Sequence, residues 1–312
     1  MKKIFATLLI ALCTFGICSA QDLEKVTETF NSAATALDAG NKADAIMLFE
    51  QALTGATALG EAGSEVAAQC KDILPKVCLS LGKDLAKDKD FDGAMAQFNK
   101  ASELAGKYNV ADVADEIKEV KSQVMTAQAA SLISAKDFAK VIEICNTALA
   151  SDPANGTAAL FLGMALSNTG KANEAVAAFQ QAMENGEQEK ASKQLSTTYL
   201  KMAAACQKAK DFKGCLENAQ MSAQYADNPQ AQKLIGTSAT VLKQYKVAVD
   251  AFEAYLAMSP NAKDKAQILY QLGDATMKAG DNAKACGYFK QIAQDAKFGE
   301  TARYYITTLK CN

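Results

Sequence analysis

Histidine and tryptophan are absent from the 312 residues, and Arg303 is the only arginine. Without imidazole there is no Ser-His-Asp or Cys-His catalysis, no histidine general base and no histidine-containing metal site. Without tryptophan a sugar-stacking platform loses its usual floor. With one guanidinium, bidentate recognition of phosphate or carboxylate is confined to one place. Runs that alternate β-branched and polar residues are missing too, so strands are not expected. Proline occurs four times, at Pro75, Pro153, Pro229 and Pro260, each between apolar-periodic segments where a helix is expected to start or stop. What fills the chain is alanine, leucine, lysine, glutamate and glutamine, which favour helix. The reading is all-α from end to end.

Apolar runs are scarce as well. The only long one opens the chain: Lys2 and Lys3 precede the uncharged stretch from Ile4 to Ile17, and Cys18-Ser19-Ala20 offers small residues before Gln21-Asp22. That layout predicts a cleaved secretory signal peptide over 1–20 and a helical domain over 21–312. The run is short for a membrane span. Neither Cys13 nor Cys18 follows the small residue that lipoprotein processing requires, so a lipid anchor is not expected. No other run is long enough to span a bilayer. The expectation is a soluble exported protein, periplasmic or secreted. Loss of Lys2 and Lys3 from 33 basic residues against 35 acidic ones leaves a formal charge of about −4. Interspersed, mildly acidic charge argues against a nucleic-acid partner.

The cysteines beyond the leader are Cys70, Cys78, Cys145, Cys206, Cys215, Cys286 and Cys311, and no CxxC occurs. Neither a zinc cage nor a dithiol redox motif is supported, and no metal or cofactor is expected. Two readings stay open. In an oxidising compartment Cys206 could pair with Cys215, and Cys286 with Cys311. Alternatively the cysteines fill small buried sites.

A pattern of small among large residues recurs. In the stretch from Leu160 to Met183, Leu162-Gly163 is followed by Leu166, a break at Gly170, then Ala175, Phe179 and Ala182. The later trio returns as Ala45/Phe49/Ala52, Ala94/Phe98/Ala101, Val141/Cys145/Ala148, Cys215/Ala219/Ser222, Ala248/Phe252/Tyr255 and Ala285/Phe289/Ile292. Val141 to Ala175 is 34 residues, Cys215 to Ala248 is 33, and Ala248 to Ala285 is 37. A period near 34 built on these small and large positions resembles the tetratricopeptide repeat family. The family's tryptophan is replaced by Ala159, Tyr199 and Leu269. The resemblance implies about seven helix-turn-helix units stacked as a right-handed α-solenoid. The small residues would let paired helices approach. The run Thr301–Lys310, with Ala302, Tyr305, Ile306 and Leu309 on one face, reads as a C-terminal capping helix. Two spacings are longer, and the excess, Glu61–Leu74 and Lys107–Lys121, reads as extended second helices or an extra helix between units.

In this family partners dock on first-helix residues lining a concave groove. Carried over motif by motif, the resemblance implies contacts at Leu79 and Lys83, then Thr126, Ala130 and Ile133. In the middle of the chain they fall at Leu160, Met164 and Asn168, and at Leu200 and Gln207. Toward the C-terminus they fall at Lys233 and Thr237, and at Tyr270, Asp274 and Met277. The apolar members could receive an extended segment or amphipathic helix, or be covered by curvature or by the terminal helix. The family's carboxylate clamp is not reproduced, since Thr126, Ala130, Leu160 and Met164 stand at those positions. In KDKDFDG the alternating Asp88, Asp90 and Asp92 resemble half a calcium loop, but no acid follows from Ala94 to Lys100 to close it, so a solvated turn is expected. The functional expectation is an exported, non-enzymatic scaffold or assembly factor that binds a protein or peptide, with self-association open. The alternative is an envelope protein that binds a glycan or small ligand.

Overall fold

The computed structural model describes residues 17–311, with side chains from Ala20 onward. The expected signal peptide, 1–20, therefore lies almost wholly outside the described residues. Among the described residues all regular structure is helical, and none of the helices is long and apolar enough to cross a membrane.

The chain divides into two compact units, one running through Gln128 and the other from Ala129. In the first, α1 (Ile17–Asp38), α2 (Lys42–Ala58), α3 (Ser64–Lys87) and α4 (Phe91–Tyr108) pack each on the next, and α5 (Ala114–Ala135) begins. The second takes the end of α5, then α6 (Phe138–Ser151), α7 (Gly156–Asn168), α8 (Ala172–Glu184), α9 (Gln188–Lys208) and α10 (Phe212–Tyr225). It continues with α11 (Pro229–Val241), α12 (Tyr245–Met258), α13 (Lys265–Lys278), α14 (Asn282–Gln291) and α15 (Gly299–Thr308). From α6 to α15 each helix packs on its successor, so the unit is a stack of antiparallel helix pairs closed by the expected terminal helix. One pair cannot cover its own apolar face, and stacking does so.

The joint within each pair explains the small residues. A Cβ on Gly82 would lie 2.6 Å from the Phe98 ring, and one on Gly163 2.5 Å from that of Phe179. Gly236 meets Phe252 at 2.5 Å and Gly273 meets Phe289 at 2.7 Å. Each glycine precedes its phenylalanine by 16 residues. The glycine is a seat, and the facing ring, fully buried, fills it. Three pairs have alanine at the seat, and two of them replace the ring as well. At the same spacing stand Ala33 with Phe49, Ala129 with Cys145, and Ala203 with Ala219, all buried. Close packing at interior density demands this matching of volumes.

The structure departs from the sequence reading in three places. The extra turns lengthen the first helices α3 and α5, not second helices, and no additional helix intervenes. α2 stops at Ala58 because Gly60 takes a left-handed φ of +57° and a Cβ on Gly63 would lie 2.0 Å from the Ala56 carbonyl. α4 stops where Asn109 adopts φ 58°, its N–H closing onto the Ala105 carbonyl. Each break is followed by a short 3₁₀ turn, Gly60–Gly63 or Ala111–Val113, that launches the long helix. Second, Pro75 sits inside α3 and is buried there. It offers no N–H to the Lys71 carbonyl, but Lys71 lines an open cleft where water has access. Third, Cys206 and Cys215 are free thiols, while Cys286 and Cys311 are joined by a disulfide that ties α14 to the chain beyond α15.

Candidate binding surface

Numbered from the seat residue of each first helix, the candidate contacts fall three before it and one or four after it, with Asn168 one further along. Positions spaced by three and four share a helix face. The structure sorts this stripe into three kinds of surface.

Some positions are interior. Leu79 and Leu160 are each 4% exposed and belong to the cores of their respective units. Neither is free to meet a partner directly. Ile133 and Met164 are half-buried against the same core as Leu160. Consecutive first helices α7 and α9 touch each other, which narrows the space over this stripe.

Other positions are engaged by the protein's own polar groups. Lys83 pairs with Glu116 at 2.5 Å. Thr126 and Thr237 donate their hydroxyls to the carbonyls of Ser122 and Lys233, at 2.9 Å each. Asn168 donates to the Met164 carbonyl at 2.8 Å. Lys233 pairs with Asp264 Oδ2 at 2.5 Å, and the Tyr255 hydroxyl donates to Asp264 Oδ1 at 2.7 Å. Burial alone would raise the Asp264 carboxyl, but the hydrogen bonds from Lys233 and Tyr255 outweigh it and hold the group below the usual carboxylate range. The Tyr255 hydroxyl is pushed up to about 12 by burial and by that carboxylate. Asp274 pairs with Lys278 at 2.8 Å.

The terminal helix takes a third set. The Tyr270 ring stacks on Phe298 at 5.4 Å and tilts against Phe289 at 6.4 Å. Phe289 in turn stacks on Tyr305 of α15 at 4.8 Å. Met277 packs into the same cluster. The positions left half-buried without such engagement are Ala130 on α5 and Leu200 and Gln207 on α9, a helix that touches α7 with its half-buried Met164.

The arrangement offers little for catalysis. Burial raises the Cys70 and Cys78 thiols to about 11 and the Cys145 thiol to about 12, so none of these is a ready thiolate. Among the described residues no group of histidine, cysteine, aspartate or glutamate is arranged to hold a metal ion. The KDKDFDG segment is the turn between α3 and α4 with the first residues of α4. Lys89 takes φ 65°, Asp90 accepts the Gly93 N–H at 3.0 Å, and Asp92 accepts from the Gln128 amide at 3.2 Å.

Sequence reasoning missed the polar bridges between successive first helices. Lys233 to Asp264 is one, and Thr157 donating to Glu187 at 2.8 Å is another. Both span about one repeat, 31 and 30 residues, and that recurrence was the available signal. It also missed an open cleft of ≈ 490 Å³ in the first unit. That cleft lies between α3 and the end of α4 and is lined by Lys71, Asp72, Tyr108 and Asp112 among others. Lys76 bridges Asp72 at 2.7 Å and Asp112 at 3.2 Å beside it.

No curated protein matches this chain. Among solved structures it is similar to MamA, at 17% identity over 59% of this chain and 94% of that one, with a TM-score of 0.38. It is similar to YrrB, a TPR protein with an unusual peptide-binding site, at 17% identity over 61% of this chain and 96% of that one, TM-score 0.38. It is also similar to a MamA from Desulfovibrio magneticus RS-1, at 15% identity over 56% and 97%, TM-score 0.35. Residues 132–198, which run from the end of α5 into α9, match the tetratricopeptide repeat family model.

Proposed function

We propose that this chain is an exported helical-repeat protein of the tetratricopeptide type throughout, and that it holds a segment of another protein against its first helices as a scaffold or assembly factor. One observation carries this reading. On the successive first helices α7 and α9, which touch each other, Met164, Leu200 and Gln207 lie half-buried on the same register stripe, Met164 also packing against the core. A half-buried apolar pair beside an amide suits an extended or amphipathic segment that buries one or two apolar side chains. Export is supported by the basic and apolar start of the chain and by the Cys286–Cys311 disulfide, which belongs in an oxidising compartment.

The test is crosslinking of the tagged chain in its native cell, followed by mass spectrometry, with Met164→Glu/Leu200→Glu as the comparison. Neither side chain is fully buried, so the variant is expected to fold, which a circular-dichroism melt checks. Capture of one dominant protein that disappears in the variant is the expected result. Equal capture by both forms would remove the first-helix face from consideration.

A further inference from the structure

The turns inside the helix pairs of the second unit lie at one end of the stack, since antiparallel neighbours joined by short turns place alternate turns at opposite ends. Those turns need a residue in the left-handed region. Gly170 (φ 82°) and Gly280 (φ 94°) provide it in two of them. In the other three the residue is lysine: Lys136 (φ 61°), Lys210 (φ 61°) and Lys243 (φ 59°). A side chain in that region is strained by roughly 1 kcal/mol relative to glycine, so the sequence keeps a cation where glycine fits more easily. A lysine at a helix C-terminus offsets part of this through the helix dipole, and the test below separates that role from binding.

Two more lysines, Lys208 and Lys246, stand at the same end, and among the described residues none of these five amines has an acidic partner. Of the acids next to them, Asp137 caps α6 and pairs with Lys140, and Asp211 caps α10 by accepting the Gly214 N–H. The turns carrying Lys210 and Lys243 are neighbours, because α11 packs on both α9 and α10. Val241, 50% exposed, projects beside Lys243. At the opposite end three ion pairs form: Glu187 with Lys190 at 2.9 Å, Glu189 with Lys193 at 2.7 Å, and Asp264 with Lys233 at 2.5 Å.

We infer that this lysine-bearing end is a peripheral docking surface for an anionic phospholipid bilayer. The five amines are spread over three separate turns instead of converging on one point, which suits a delocalised negative surface better than a single carboxylate or phosphate. They are flexible point charges with no guanidinium fork among them. An exposed valine between lysines is the mixture that interfacial contacts use. The surface is distinct from the first-helix face and can be tested apart from it.

The experiment is co-flotation of the full chain with phosphatidylcholine vesicles, with and without phosphatidylglycerol, at low and high salt. Any contribution from the apolar start of the chain is common to all forms and is read from the phosphatidylcholine baseline. Binding that requires phosphatidylglycerol and falls at high salt is expected. Lys136→Gly/Lys210→Gly/Lys243→Gly should weaken it about a hundredfold while melting no lower than the parent, because glycine relieves the left-handed turns. Lys208→Gln/Lys246→Gln, which leaves every turn residue in place, should weaken it about thirtyfold. Met164→Glu/Leu200→Glu should bind vesicles as the parent does. Equal vesicle binding by the lysine variants, binding that ignores phosphatidylglycerol, or capture of polyglutamate without capture of vesicles would each overturn the inference.

Discussion

The pairs α9/α10 and α13/α14 follow one plan with opposite contents. In α13/α14 a glycine seat, Gly273, receives Phe289, and the ring continues into the aromatic cluster of Tyr270, Phe298 and Tyr305. In α9/α10 the seat and its filler are both alanine, Ala203 and Ala219, and the interior is partly polar. Ser222 donates to the Ser196 carbonyl at 2.8 Å, and the two hydroxyls lie 3.1 Å apart. Each pair holds a cysteine near the start of its second helix, Cys215 four residues before its seat filler and Cys286 three residues before. Only Cys286 is cross-linked. The difference teaches that the repeat conserves fit at the seat and not a residue type. One pair achieves it with a large ring against no side chain, the other with two small side chains and hydrogen bonds.

The largest effect should come from emptying the aromatic pair. Phe289→Ala is expected to lose about 3–5 kcal/mol in chemical denaturation. The converse sharpens the point. Ala219→Phe alone should overpack its seat by about 1–3 kcal/mol, and adding Ala203→Gly should return part of that loss. An additive double-mutant cycle would break the seat rule.

Next comes the cross-link. Cys286→Ser/Cys311→Ser opens a loop whose ends are 25 residues apart and should destabilise by about 2–4 kcal/mol, with faster amide exchange in α15. Cys206→Ser should leave stability within about 0.5 kcal/mol. If reductant lowers the melt of the parent and of the Cys286→Ser/Cys311→Ser variant alike, the assignment of the stabilising bond to this pair fails. Smaller than the effect of the cross-link is that of the serines. Ser222→Ala should cost about 1–2 kcal/mol by leaving a buried partner unsatisfied, and Ser196→Ala/Ser222→Ala should recover most of it. A double variant worse than the single one would show that the hydroxyls matter for more than each other.

The repeat itself was legible because the trio of small and large residues returns at about 34 residues and Gly40, Gly170 and Gly280 mark three of the breaks. Helix ends were less so. The turns after Glu61 and Lys107 are amphipathic whichever helix owns them, and only the backbone at Gly60 and Asn109 decides that they start new first helices. Pro75 misled for a related reason: it stands inside α3, and the sequence does not show which helix interior tolerates the lost hydrogen bond. The binding stripe was legible as a register and not as a surface. Counting from the seat places Leu160 and Leu200 alike, yet one is buried and the other half-buried, a difference that the register does not encode. Tyr270 was legible only as a choice between a partner and the terminal helix, and α15 takes it.

The bond from Cys286 to Cys311 also bears on how the second unit comes apart. A linear array whose repeats touch only their neighbours behaves as a one-dimensional chain of coupled elements, and such a chain ordinarily frays from a free end, where an element has one neighbour instead of two. Here the last element is fastened to the one before it, so the end cannot peel without first losing its link. The weakest coupling then moves inward, to the alanine-seated pair with its hydroxyl-lined interior. Breathing in this unit is expected to begin in the middle of the array, beside the half-buried leucine on which the proposed binding face depends.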